Sequence, residues 1–273
     1  MHIAFAADCA SHLTTVSQTY AEEITTPEFG CGLDGVLRKR SARHELTGIV
    51  NGIDETWDSR SCAHLSTPFA SGEWKSKRAN ADHARREFGL AVRSGPLFGL
   101  VARLVHQKGV DLVLDAAETI VAAGGQIVVM GRGEPQFEDA LRALAQRQPG
   151  AVSVALRFED GEARRIFAGS DFTLMPSRFE PCGLSQMYAQ RFGSLPIGHK
   201  TGGLAETIKD GQTGFLFGKP SRESFLEAIC RAFGTYASRS RLNTMRGKAM
   251  SQVFGWKSSA KSYSDVYAKL SAS

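Results

Sequence analysis

Long hydrophobic runs, paired cysteines and a strong excess of charge of one sign are missing from this sequence, and each absence excludes a class of protein. No apolar stretch among the 273 residues approaches the roughly 18 that a membrane-spanning helix requires, so we predict no membrane partner. The five cysteines are scattered without CxxC spacing, which argues against a disulfide framework and against a zinc site. This cysteine usage fits a reducing environment, and we predict a cytoplasmic protein.

The net charge of +5 is modest, and basic residues are spread along the chain. Only two segments concentrate them: RKR at 38–40 with Arg43, and KSKR at 75–78. Such clusters are typical of solvated faces, so we predict no nucleic-acid partner.

From about residue 96 the chain alternates apolar strands with amphipathic helices. This alternation predicts an α/β fold with a Rossmann-like, doubly wound parallel sheet and right-handed crossovers. The predicted strands are 96–101, 126–130, 152–156, 172–175 and 195–198, with helices at 110–123, 137–146, 162–168 and 204–208 between them and at 221–233, 240–250 and 256–270 after them.

The first 95 residues have too few predicted strands for an independent sheet. Residues 15–24 have a helical pattern, whereas 27–35 and 51–54 are rich in turn residues. The apolar start at 1–7 has no basic segment or cleavage site, so it is typical of a domain interior rather than a signal peptide. We predict that this part is the end of a preceding domain followed by a linker.

The most informative segment is SRFEPCGL at 177–184, which lies between a predicted strand and a predicted helix. In an open α/β sheet this turn lies at the carboxyl ends of the strands, where ligands bind. Pro181 restricts the backbone and Gly183 permits close approach to a ligand, so we expect Glu180 at a crevice on a rigid support. Taken alone, an acidic residue in a solvated turn is the simpler interpretation.

Two other strand-to-helix turns have features suited to phosphates. Arg103 and Lys108 precede a predicted helix, whose free N–H groups and dipole attract anions, and together they would form a diphosphate clamp. Gly202 and Gly203 open another helix and would let N–H groups face a phosphate. An exposed basic loop and a simple tight turn are the alternatives, and His106 receives no role.

The segment GRGEP at 131–135 permits close approach to a nucleotide but lacks the third glycine of a dinucleotide fingerprint, which disfavours a dehydrogenase. Together the turns suit a nucleoside diphosphate joined to a neutral sugar, because cations hold phosphates and a carboxylate accepts hydrogen bonds from hydroxyls. Departure of the diphosphate develops negative charge that Arg103 and Lys108 would stabilise. The predicted chemistry is therefore glycosyl transfer.

Motifs along nearly the whole chain resemble, in order and spacing, those of bacterial glycogen synthases and plant starch synthases. They are TVS at 15–17, YAEEI at 20–24, NGID at 51–54 with Trp57, RLVHQKG at 103–109, SRFEPCGL at 177–184, TGGL at 201–204, TGF at 213–215 and WKSSAKSY at 256–263. The resemblance implies the C-terminal, donor-binding half of a GT-B fold, in which two Rossmann-like domains face a cleft. It implies a retaining hexosyltransferase that moves glucose from ADP-glucose to the non-reducing end of an α-1,4-glucan in glycogen biosynthesis, without a metal or other cofactor.

The resemblance also implies residue roles. Glu180 would contact the glucosyl ring and stabilise oxocarbenium-like charge, and with Arg103 and Lys108 it forms the expected catalytic group. A nucleophilic Glu180 does not fit, since a retaining glycosidase pairs two nearby carboxyls and only one is present here. Asn51 would lie near the acceptor, and Cys182 is expected to be a packed neighbour rather than a nucleophile. The expected donor-binding residues are Arg103, Lys108, Gly131, Phe158, Glu180, Cys182, Gly183, Leu184, Ser185, Thr201, Gly202 and Gly203.

Two positions depart from the family pattern. Phe158 stands where a tyrosine is frequent and keeps the π face for stacking on adenine. Lys200 stands where an arginine is frequent. Both changes leave donor binding in place.

The family's lysine-and-glycine motif and its cleft histidine have no match in this chain. We predict that 1–95 is a remnant of the acceptor-side domain with a linker, 96–250 the nucleotide-sugar-binding domain, and 251–273 a helix that crosses back to the N-terminal domain. The acceptor-side domain would then be missing or separately encoded, and the chain alone would bind the donor weakly and transfer little glucose. A non-catalytic nucleotide-sugar-binding module left by truncation is the alternative.

Overall fold

The computed structural model describes residue 7 and residues 9–272, so the apolar segment at 1–7 lies almost entirely outside the described residues. In the first part of the chain two short strands pair in parallel. The predicted helix at 15–24 is shorter than expected because its first residue belongs to a strand and Ser17 caps the helix, accepting a hydrogen bond from the Tyr20 amide at 3.1 Å. The elements of this part are β1 (Leu13–Thr15), α1 (Gln18–Glu23), α2 (Asp34–Ala42), β2 (Leu46–Gly48) and α3 (Trp74–Glu87).

A six-stranded, fully parallel sheet forms the centre of the molecule. All five predicted strands are present, and one short strand at the edge adds to them. The strands are β3 (Leu97–Val101), β4 (Gln126–Met130), β5 (Val152–Ala155), β6 (Phe172–Met175), β7 (Leu195–His199) and β8 (Phe215–Phe217).

Helices cover both faces of this sheet, as strands that are apolar on both faces require. Alternate residues of β4 show it: Ile127 and Val129 pack into one core, while Val128 and Met130 pack into the other. The helices are α4 (Val110–Ala122), α5 (Pro135–Arg147), α6 (Asp160–Gly169), α7 (Ser185–Arg191), α8 (Gly202–Thr207), α9 (Arg222–Ala237), α10 (Arg239–Met250) and α11 (Trp256–Ser271).

The strand order is β5-β4-β3-β6-β7-β8, so the direction of winding reverses between β3 and β6. In a doubly wound sheet this reversal opens a crevice at the carboxyl ends of the two strands, where ligands bind. The segments 103–109 and 177–184 follow these two strands. The fold therefore brings the predicted basic turn and the predicted acidic turn to one crevice.

The prediction that both basic clusters form solvated faces is wrong for one residue in each. Arg40 is buried and pairs with Glu45 at 3.0 Å. Lys77 is only 1% exposed, and its ammonium group ties α3 to the ends of α6 and α7. It donates to the carbonyl oxygens of Phe167, Ala168, Ser170 and Phe192 at 3.1, 2.6, 2.9 and 2.9 Å.

The segments that precede and follow the sheet along the chain also have packing partners. Ala84 of α3 shares a hydrophobic core with Ile166 of α6. Helix α11 returns to residues 50–53, where the Ser259 hydroxyl donates to the Val50 carbonyl at 2.6 Å. The predicted domain boundaries at 95/96 and 250/251 stay predictions.

Candidate functional site

The carboxyl ends of β3 and β6 border a cavity of about 270 Å³. Its walls bring together residues that the sequence analysis selected from three separate turns and one helix start. The selected residues that line it are Arg103, Lys108, Phe158, Glu180 and Ser185.

A charged pair forms one wall of this cavity. The Lys108 ammonium lies 2.5 Å from Glu180 Oε2, and the Ser177 hydroxyl donates to the same oxygen at 2.9 Å. Glu180 is 5% exposed, so its carboxylate is largely removed from water. A buried carboxylate is stable there because it has both a cation and a hydroxyl donor.

The turn at 177–184 is fixed by bonds to neighbouring elements. Arg178 forms a bidentate pair with Asp111 at the start of α4, with distances of 2.9 and 2.6 Å. The hydrogen bond from Arg178 holds the pKa of Asp111 below its ordinary value. The Gln107 side chain donates to the Phe179 carbonyl at 2.8 Å, and His199 Nδ1 lies 3.0 Å from the Ser177 carbonyl oxygen. These contacts hold the acidic turn against the basic turn, the start of α4 and the end of β7.

The basic turn needs glycine at its end. Gly109 has φ +68°, and a Cβ there would lie 2.1 Å from the Pro176 carbonyl oxygen. Any side chain would push apart the two turns that build the cavity. Lys108 is thereby held directly against the acidic turn.

Two selected residues present accessible groups. Arg103 is exposed, and the one contact of its guanidinium in the described part of the chain is a long one, 3.5 Å to the Gln107 side-chain oxygen. Phe158 is 55% exposed at the carboxyl end of β5. An unburied cation and an unburied aromatic face therefore border the same cavity.

The structure corrects the predicted use of the Gly202 and Gly203 amides. The Gly202 N–H donates to Glu23 Oε1 at 3.0 Å, and the Gly203 N–H donates to the Glu180 carbonyl at 3.0 Å. Both donors therefore have protein acceptors instead of facing a ligand. The glycines serve close packing, since a Cβ at Gly203 would lie 1.9 Å from the Cys182 carbonyl oxygen.

Glu23 is a residue that the sequence analysis missed. Its Oε1 also accepts a hydrogen bond from the Thr201 hydroxyl at 2.8 Å, so it ties α1 to the start of α8. The acidic pair in YAEEI was the signal available in the sequence. The partners of Glu23, however, lie 178 and 179 positions further along the chain.

The remaining selected residues lie beside the cavity lining. Burial raises the pKa of the Cys182 thiol, against a smaller effect of the hydrogen bond from the Asn51 backbone. Gly183 has φ +69°, and Leu184 is partly exposed at the start of α7. A Cβ on buried Gly131 would lie 1.9 Å from the carbonyl oxygen of Ala102, which lines the cavity.

A larger cavity of about 670 Å³ lies on the other face of the acidic turn. Segment 20–31 forms one side, and the turns after β3 and β6 with the end of β7 form the other. Three aromatic residues and two carboxylates contribute to its lining: Tyr20, Phe29, Phe179, Glu23 and Glu28.

Other site types find little support in the described part of the chain. No group of three or more His, Cys, Asp or Glu side chains within residues 7 and 9–272 is arranged to hold a metal ion. Over the same residues no helix is long and apolar enough to span a membrane. All five cysteines are free thiols.

Comparison with known proteins gives two family matches. Residues 84–245 match the model for glycosyl transferases group 1. Residues 2–39 match the model for the starch synthase catalytic domain.

Among curated relatives, the chain is 66% identical over 263 residues to glycogen synthase 1 of Bradyrhizobium diazoefficiens, covering 96% of this chain and 57% of that protein. It is 57% identical over 263 residues to a glycogen synthase of Pseudomonas fluorescens, covering 96% of this chain and 50% of the relative. The chain thus spans about half the length of the curated relatives it matches.

Among solved structures, the catalytic domain of starch synthase IV from Arabidopsis thaliana, bound to ADP and acarbose, matches with a TM-score of 0.91 and 34% identity. The match covers 98% of this chain and 57% of that chain. Together with the observed sheet, it confirms the predicted α/β fold and its relation to half of a GT-B structure.

Proposed function

Because the chain belongs to the group 1 glycosyl transferases, we propose that it is the donor-binding part of a retaining glucosyltransferase of the glycogen and starch synthase type. In the proposed reaction, glucose moves from ADP-glucose to the non-reducing end of an α-1,4-glucan in the cytoplasm. The observation that carries this proposal is the cavity at the sheet's switch point, where Arg103, Lys108, Phe158 and Glu180 meet. The identity to glycogen synthases supports the same assignment.

The two cations are assigned to the donor diphosphate. Arg103 is exposed at the cavity and offers a planar guanidinium, whereas Lys108 is a point charge held in the wall. Negative charge builds on the diphosphate as its bond to the sugar breaks. Fixed cations stabilise that charge more strongly in the transition state than before it, which accelerates the reaction.

Phe158 is assigned to the adenine ring. It stands at the end of β5, on the far side of β3 from the acidic turn, and its ring is open to solvent. A nucleoside that spans the cavity would place its base on this aromatic face. The ADP in the related Arabidopsis structure supports an adenine donor for this chain.

Glu180 is assigned to the transferred sugar. Its carboxylate keeps acceptor capacity for hydroxyl groups beside the contacts from Lys108 and Ser177. Its negative charge would also stabilise positive charge that develops on the ring. The bond-forming step is not assigned to Glu180 as a nucleophile.

The acceptor glucan is assigned to the first part of the chain, which contains Asn51 and one wall of the larger cavity. The aromatic faces and carboxylates of that cavity suit a neutral, hydroxyl-rich ligand. A second, acceptor-side domain completes the reacting geometry in this proposal, and small misplacements of the reactants cost about a hundredfold in rate. For this reason we expect the 273-residue chain alone to bind the donor but to elongate glucan poorly.

Isothermal titration of the chain with ADP-glucose tests the proposal. We expect saturable binding that the charge reversal R103E weakens by at least tenfold. The reversal replaces a cation that donates hydrogen bonds to phosphate with an anion that repels it. The matched reversal R147E changes an exposed arginine at the end of α5 and should leave the affinity unchanged. Absence of saturable binding, or equal losses in both variants, would refute the proposed donor site. Robust elongation by the chain alone would refute the need for a second domain.

A further inference from the structure

A second concentration of charge lies at the amino ends of the strands, on the opposite side of the sheet from the donor cavity. Asp171 directly precedes β6 and Gln126 begins β4, so this region is at the amino ends of the strands. A shallow pocket of about 30 Å³ lies here, which we call the rear basic pocket. Six cations and two carboxylates line it, namely Lys77, Arg78, Arg85, Arg93, Arg239, Arg246, Asp82 and Asp171.

The floor of the rear basic pocket holds arginines whose acidic partners are already engaged. Arg246 is buried and pairs with Asp171, whose second oxygen accepts a hydrogen bond from the Leu97 amide at 2.8 Å. Arg85 lies 3.7 Å from Asp82. In the described part of the chain neither of these two carboxylates forms an ion pair with Arg78, Arg93 or Arg239.

The rim consists of three exposed arginines from three different elements. Arg78 lies on α3, Arg93 in the loop before β3, and Arg239 in the first turn of α10. Within residues 7 and 9–272 no ion pair or hydrogen bond holds any of their guanidinium groups. These side chains are free to contact a ligand.

The charges around the pocket converge on one tyrosine. The Tyr236 hydroxyl donates to the Ser94 carbonyl at 2.6 Å in the pocket wall. Burial and the charge of Asp171 raise the pKa of Tyr236, and the nearby positive charges of Arg85, Arg239 and Arg78 act in the opposite sense. Arginines from α3 and α10 are therefore close enough to act on the same group.

Such a gathering is unfavourable unless an anion compensates it. Like charges at a surface repel one another. No acidic partner in the described part of the chain offsets this repulsion at Arg78, Arg93 or Arg239. An anion bound at the rim would offset this repulsion.

We propose that the rear basic pocket binds a small molecule that carries two or more phosphate groups. Guanidinium groups are the side chains best matched to phosphate oxygens. A pocket of about 30 Å³ seats only part of one phosphate, so the remainder of the ligand lies against the rim arginines. This site is separate from the donor cavity, and its ligand needs no sugar or base.

Titration with inorganic tripolyphosphate in low-salt buffer tests this proposal. The variant R103E weakens phosphate binding in the donor cavity at least tenfold, although Lys108 remains there. Tripolyphosphate binding that keeps its wild-type affinity in R103E therefore belongs elsewhere. In that background we expect R93S/R239S to weaken binding at least tenfold. The matched double variant R86S/R147S removes two other exposed arginines and should leave the affinity within about twofold. Since all four positions are exposed, we expect each variant to fold, and circular dichroism checks it.

Three results would overturn the proposal. The first is loss of all tripolyphosphate binding in R103E, which would leave the donor cavity as the binding site. The second is an equal loss in R93S/R239S and R86S/R147S, which would show non-specific attraction. The third is tighter binding of a short single-stranded oligonucleotide than of tripolyphosphate at Arg93 and Arg239, which would indicate a nucleic-acid surface.

Discussion

The ammonium of Lys108 lies 2.5 Å from Oε2 of Glu180, and this contact joins the turn after β3 to the turn after β6. The two strands are neighbours only because the sheet reverses its winding between them. The cation assigned to the donor diphosphate therefore also orders the carboxylate assigned to the sugar. Any change at one residue is expected to affect the other.

Removal of the cation should leave a buried carboxylate without its ion-pair partner. We expect K108A to lower the free energy of unfolding by about 3 kcal/mol, as is typical when one member of a buried pair is deleted. The double variant K108A/E180Q should recover part of this loss, because the amide carries no charge. Urea denaturation measures both, and a double variant no more stable than K108A would contradict the coupling.

The exposed ring of Phe158 should contribute to nucleotide affinity. We expect F158A to weaken ADP binding by roughly tenfold, about 1.4 kcal/mol, which is within the range for loss of one base-stacking contact. F158Y should bind as wild type, because tyrosine keeps the aromatic face. Calorimetry with ADP compares the three proteins, and unchanged binding in F158A would remove Phe158 from the site.

Close packing at Gly203 predicts a position-specific effect of a single methyl group. A Cβ there would lie 1.9 Å from the Cys182 carbonyl oxygen, whereas a Cβ at Gly234 would meet nothing within 4 Å. Both glycines are helical, so G234A is a matched control. We expect G203A to destabilise the protein by about 1–3 kcal/mol and to weaken ADP binding, and G234A to be neutral or stabilising by up to about 1 kcal/mol. Equal thermal shifts would contradict this packing.

The environment of Cys182 predicts low thiol reactivity. Burial raises its pKa above the ordinary 9.0, so the reactive thiolate is suppressed at neutral pH. Its contribution to folding stability is present below pH 9 and is lost as the pH rises above it. Iodoacetamide should modify the exposed Cys9, Cys31 and Cys230 before Cys182, as mass spectrometry can follow. Faster alkylation of Cys182, or loss of ADP binding in C182S, would indicate a direct role for the thiol.

Much of the fold could be predicted because it follows from local patterns. The apolar run of β4 and the helical spacing of α4 are visible in the sequence, and their alternation specifies a parallel sheet. Five elements were missed for local reasons. β1, β2 and β8 have only three residues each, and α2 and α3 begin at Asp34 and Trp74 without a side-chain cap.

Long-range contacts account for the remaining differences. The carbonyl oxygens that hold Lys77 lie 90 to 115 positions along the chain, so only a basic cluster could be recognised from the sequence. Arg103 and Glu180, which we assign to the donor, could be selected from their motifs, because a strand-to-helix turn indicates its own place in the sheet. The Glu23 contact to Gly202 depends on how α1 docks, which no local pattern specifies.

A crystal structure of the chain with ADP gives the most direct test of the donor site. We predict the diphosphate between Arg103 and Lys108, with the adenine ring against Phe158. ADP bound only elsewhere, whether in the rear basic pocket or in the larger cavity beside Phe179, would contradict the assignment.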